Sequence, residues 1–100
     1  MKQYLKDHLL VRSIVAHKKI VSEGEAVNLV SIGYEEGTPL ERVHQYNAFT
    51  IMTKLQFPKD EVLNISSKSR QYLDELAEKN LSVEETLQLL IDYRDRFANS

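Results

Sequence analysis

Residues 38–58 read TPLERVHQYNAFTIMTKLQFP, and the reading of this stretch decides the fold. It opens as a capping box: the Thr38 hydroxyl is spaced to accept from the backbone N–H three residues on, and Glu41 to reach back to the Thr38 amide. Pro39 fills the first helical position, where no donor is missed. Beyond it Leu40, Val43, Asn47, Ile51 and Leu55 recur at three- and four-residue steps, and Ala48, Phe49 and Met52 widen that apolar face. Phe57-Pro58 ends the run, because the residue before a proline is pushed out of the α region. The spacing predicts a helix over 39–56, with an apolar face wide enough for several neighbours.

Downstream, Ser82-Val83-Glu84-Glu85 is a second capping box and opens a helix over 82–98. Val83, Leu87, Leu90, Ile91 and Phe97 form its inward stripe, and Asp92 and Arg96 stand one turn apart as an ion pair. Between the two lies a helix over 59–79, with Val62, Ile65, Tyr72, Leu73, Leu76 and Ala77 inward. Its middle, Ser66-Ser67-Lys68-Ser69, is poor helix interior and good capping sequence, so two courses stay open: one continuous helix, or a break with a fresh start near Ser67 or Ser69. Asn80 is the candidate C-cap before a very short link to Ser82.

Upstream, residues 1–37 admit two readings. As a helix over 2–21, the apolar residues spread around nearly the whole circumference, followed by a short helix over 25–35 that ends around Gly33 to Gly37. As an α+β alternative, the β-branched residues between 10 and 32 form a hairpin around Ser22-Glu23-Gly24-Glu25. The helical reading is preferred. Leu9-Leu10-Val11 and Ile14-Val15 break the alternation of a half-exposed strand, and Glu-Gly is a poor two-residue hairpin turn. The expected fold is all-α, a compact bundle of four to five helices in a single domain spanning 1–100.

Composition narrows the function. With no cysteine there is no disulfide, thiolate metal site or cysteine nucleophile. There is no long apolar run and no secretory signal pattern at the start, so the expected setting is cytoplasmic, without a membrane partner. The net charge of −2 conceals alternation: residues 1–20 carry +4, 21–45 carry −4, 46–70 carry +2 and 71–100 carry −4. Such blocks pack side by side within a fold, or face a partner or a second copy of the chain.

Chemical constellations are sparse. Glu41 and His44 stand in the Glu-x-x-His step by which di-iron bundles place two ligands on one helix face, but no second copy accompanies them and Glu41 already has a capping role. His17 beside Lys18 and Lys19, and His8 after Asp7, have no spaced nucleophile or orienting acid. Gly24, Gly33 and Gly37 form no phosphate-cradling loop. We therefore expect no metal, no cofactor, no small-molecule ligand and no enzymatic activity.

A DNA-binding regulator of helix-turn-helix type, running from Ala26 through Gly37 to Phe57, is the alternative, with nucleic acid as a less favoured partner. The first turn of its second helix offers only Arg42 to a phosphate or base, however, with Glu35 and Glu36 close by. Tyr46 projects away from the Leu40–Ile51 stripe and, with Phe49, Arg42, Lys18 and Lys19, is expected to face a partner. The expected function is a small interaction or regulatory protein that docks on another protein or on a second copy of itself.

Overall fold

In the computed structural model, which describes residues 9–64 and 67–98, with side chains at 9–64 and 69–96, five α-helices follow one another: α1 (Leu9–Glu23), α2 (Leu40–Lys54), α3 (Lys59–Leu63), α4 (Ser67–Glu78) and α5 (Val83–Ala98). There is no strand among the described residues, so the chain is an all-α bundle. None of these helices is long and apolar enough to cross a membrane.

Helix α1 is the hub, packing on α2 and α4 and touching α5. Its Leu10, Val11 and Ile14 meet Ala48, Ile51 and Met52 of α2, Leu73 and Leu76 of α4, and Leu87 and Leu90 of α5, with Leu55 and Phe57 completing the cluster. Helix α1 is thus packed on several sides without being covered all round, since Leu9, Arg12 and Val15 stay exposed. Residues 9–23 form one continuous helix, which overturns the hairpin alternative.

The helix expected over 25–35 does not form. Two single 3-10 turns, Gly24–Ala26 and Val30–Ile32, take its place. Gly24 at φ 61° ends α1, and Gly33 at φ 100° stops the chain again nine residues later, a span too short to sustain a helix alone. Between them Asn28 takes over the local bonding: its side-chain oxygen accepts from the Val30 amide (3.0 Å) and its carbonyl from the Ser31 hydroxyl (2.7 Å). The segment still contributes a core. Val27 joins Ile20 and Val43 in a second, smaller cluster, with Leu29, Ile32, Tyr34 and Leu40 packed on it. The first helix required by the helix-turn-helix alternative is therefore not built.

The two capping boxes diverge. At α5 the exchange is made: the Glu85 amide donates to the Ser82 hydroxyl (3.1 Å) and the Ser82 amide to the Glu85 carboxylate (3.2 Å). Hydrogen bonding from the Ser82 backbone amide, and then from its side chain, holds the Glu85 carboxyl below its ordinary pKa. At α2 the expected box is absent. Pro39 itself is the N-cap, its carbonyl accepting from the Arg42 and Val43 amides, so Thr38 sits one residue too early. Its hydroxyl turns back to the Glu35 carbonyl (2.8 Å), and Glu41 pairs with Arg70.

Of the two courses open to residues 59–79 the chain takes the broken one, ending α3 at Leu63 and restarting at Ser67, and Asn80 at φ 54° follows α4 as a left-handed cap. The expected helix at 2–8, the inward placement of Ile65 and of the Phe97 side chain, and the conformation of Ser66 lie outside the described residues. In α5, Asp92 accepts from Gln88 (3.0 Å) rather than pairing with Arg96, while Arg94 reaches across to the Leu55 carbonyl (2.9 Å).

Candidate functional site

Packing α1 against α2 turns two exposed stripes outward, Leu9, Arg12 and Val15 on one helix and Arg42, Tyr46 and Phe49 on the other. The 28–34 segment sets the depth between them. Tyr34 meets Tyr46 edge-on at 5.8 Å and donates its hydroxyl to Asn47 Oδ1 at 2.6 Å. Burial, with Tyr46 adding to it, pushes the Tyr34 phenol up to about 12.

The result is a groove of about 410 Å³ whose lining includes Leu9, Arg12, Tyr34, Arg42, Tyr46 and Asn47. Through Arg42 and Tyr46 it runs into a second depression with Phe49 and Leu63, and through Arg12 into a third with Val15 and Val30. The large hydrophobic side chains left exposed among the described residues are Leu9, Val15, Val30, Tyr46, Phe49 and Leu63, between 42% and 68% accessible, and all six line these three depressions.

Charge on this face is unbalanced. Arg12 and Arg42 make no ion pair among the described residues, and Glu35 is the one acidic residue in the lining. Asn47 is 1% exposed, and its Nδ2 has no hydrogen-bond partner. Of the five residues expected from sequence to meet a partner, Arg42, Tyr46 and Phe49 stand together in one exposed depression. Lys18 and Lys19 line none of the three depressions: both are half-buried, and the Lys18 ammonium donates to the Leu81 carbonyl at the α4–α5 link. Leu9, Arg12, Val15, Val30 and Leu63 are additions that sequence reasoning misses. Their signal is present in part, since Leu9, Arg12 and Val15 recur at three-residue steps on one helix face.

On the opposite, inner side of the same helix pair, α1, α2 and α4 converge on a polar cluster. His17 Nε2 lies 2.7 Å from Asp74 Oδ1, and His44 Nδ1 lies 3.9 Å from the same oxygen. The two imidazoles meet edge-on with ring centroids 5.0 Å apart. One turn before Asp74, Arg70 brings its Nε to 3.7 Å from Asp74 Oδ2, and its guanidinium also binds Glu41, one turn before His44.

His17 is 2% exposed and His44 8%, and burial pulls both imidazoles below their ordinary pKa; for His17 the facing Asp74 opposes the shift, while for His44 Arg70 adds to it. Neutral His17 donates from Nε2 to Asp74, which leaves its Nδ1 and the His44 Nδ1 buried without partners. Glu41 and His44, read from sequence as one candidate ligand pair, go separate ways: Glu41 faces Arg70, and His44 faces Asp74 and His17. Sequence reasoning misses Asp74, because nothing local distinguishes it from the other acids of residues 71–100.

No protein-family model matches the chain, and no curated protein or solved structure shows significant similarity to it.

Proposed function

We propose that this chain is a non-enzymatic docking protein that seats an apolar, acidic segment of a partner protein across the outer α1–α2 face. The observation that carries the reading is the gathering of every exposed large hydrophobic side chain among the described residues onto one continuous surface. Scattered exposed hydrophobics are ordinary, whereas a contiguous patch favours contact with another macromolecule. Tyr46 and Arg42 are of the residue types that dominate interface energetics, and they stand where two of the depressions join.

The partner's chemistry is set by the groups this face leaves unmatched. Two arginines without ion pairs against one glutamate favour an acidic segment, and the unpartnered Asn47 amide favours a carbonyl or carboxylate near the groove floor. A second copy of the chain fits less well, since an isologous contact places the same two arginines on both sides of the interface.

The test is selection of short displayed peptides against the full chain, followed by titration of the enriched sequences. Enriched peptides are expected to combine apolar anchors with Asp or Glu. Tyr46→Ala and Arg42→Glu each weaken them by tenfold or more, on the scale of roughly 1.4 kcal/mol or above for a central anchor, and Lys19→Glu leaves them unchanged. Enrichment of basic peptides, or affinity indifferent to both groove substitutions, contradicts the reading. A dimer in light scattering that Tyr46→Ala dissolves replaces the partner with a second copy.

A further inference from the structure

The cluster on the inner side of α1 and α2 shares no residue with the docking face, so a role for one is independent of a role for the other. We propose that His17, His44 and Asp74 bind one divalent transition-metal ion of the zinc class, through His17 Nε2, His44 Nδ1 and one oxygen of the Asp74 carboxylate. One donor atom from each residue lies within 4.8 Å of the other two. Ligands held about 2.0–2.2 Å from a tetrahedral zinc ion stand roughly 3.3–3.5 Å from one another. The 2.7 Å contact of His17 with Asp74 therefore opens by about 0.6–0.8 Å, and the 3.9 Å contact of His44 closes by about half an ångström. The third edge, between the two imidazole nitrogens, lies within 4.8 Å and has to close as well, which turns the His44 ring toward His17.

The hydrogen bonding points the same way. Without an ion, both His17 Nδ1 and His44 Nδ1 are buried and unpartnered. On metal binding the His17 proton moves from Nε2 to Nδ1, which has no partner in either tautomer, and the His44 Nδ1 lone pair gains the metal. Two orphaned atoms become one. The donor set decides the class of ion: two imidazoles and a carboxylate suit zinc and its first-row neighbours, while calcium and magnesium favour all-oxygen cages. Arg70 plays the outer part, engaging Asp74 Oδ2 so that Oδ1 stays turned to the imidazoles, and Glu41 offsets the guanidinium charge. Asp74, with its side chain 31% exposed, is the solvent-facing member and leaves the fourth position to water.

The experiment is calorimetric titration of the full, chelator-treated chain with zinc chloride, paralleled by cobalt(II) absorption and by nitrogen shifts of the histidine rings. One equivalent is expected, with a tetrahedral cobalt spectrum and shifts at His17 Nε2 and His44 Nδ1. Asp74→Asn and His44→Gln weaken binding by at least about tenfold, and His8→Gln leaves it unchanged. The ring shifts, read on the unsubstituted protein, stand even where a variant folds poorly. No binding, binding that follows His8, or binding indifferent to Asp74 overturns the proposal.

Discussion

Helices α1 and α2 present two sides of opposite character. The inner side, where α4 closes over them, buries two imidazoles against one carboxylate; the outer side leaves aromatic and aliphatic side chains uncovered. Ordinary packing puts polarity outside and grease inside. The same two helices reverse that rule at two places, and places where local consistency fails are those where function concentrates.

The contrast can be broken most forcefully along α2 itself. Ile51 is 1% exposed and Phe49 45%, two residues apart on one helix. Ile51→Ala is expected to destabilise the fold by about 2–5 kcal/mol in denaturant titration, through lost transfer energy and the cavity left behind. Phe49→Ala should stay within about 0.5 kcal/mol on the same measurement while weakening peptide capture. Equal costs for the two would erase the distinction between the faces.

Removing the carboxylate sharpens the inner side. Asp74→Ala leaves buried His17 Nε2 without its acceptor, an expected loss of about 1–3 kcal/mol by thermal or chemical unfolding. The same cluster makes stability depend on pH. His17 and His44 both have native pKa values lowered, by burial above all, so the unfolded chain binds more protons once pH drops below the ordinary value of 6.5. Stability is full above that value. It falls on acidification until each native imidazole also titrates, by at most about 1.4 kcal/mol per pH unit for each ring. The groups that set this window are Asp74, Arg70 and Glu41 together with the paired rings. A chain whose unfolding midpoint is flat between pH 7 and 5 would falsify the neutral, buried assignment.

The smallest expected effect separates the two helix starts. Ser82→Ala removes a real cap and should cost about 1 kcal/mol, whereas Thr38→Ala removes only a turn hydroxyl and should cost a few tenths at most.

Those two starts also show how far sequence reading reaches. Ser82 and Glu85 are read correctly because their bonding is local and complete within four residues. Thr38 and Glu41 have the same spacing, yet Pro39 takes the cap and Arg70, 29 residues away, takes the glutamate. The helix over 25–35 fails for a related reason: apolar spacing suggests a helix, while Gly24, Asn28 and Gly33 set the backbone. In the proposed docking face, Tyr46 is legible as a residue off the buried stripe of one helix and Phe49 as apolar surface beside that stripe, but Val30 and Leu63 reach it from an irregular segment and a short helix that only tertiary packing brings alongside. The imidazole cluster is illegible for the same cause. Its three members lie on three helices, and His17 and Asp74 are 57 residues apart.

The central claim is that the outer α1–α2 face is where a partner sits. Adding a selected apolar, acidic peptide to the isotopically labelled chain and following the amide resonances tests it most directly. Shifts should gather at Leu9, Arg12, Val15, Val30, Arg42, Tyr46, Phe49 and Leu63 and leave the exposed residues of α5 in place. Shifts centred on α4 and α5, or spread without a focus, would contradict it.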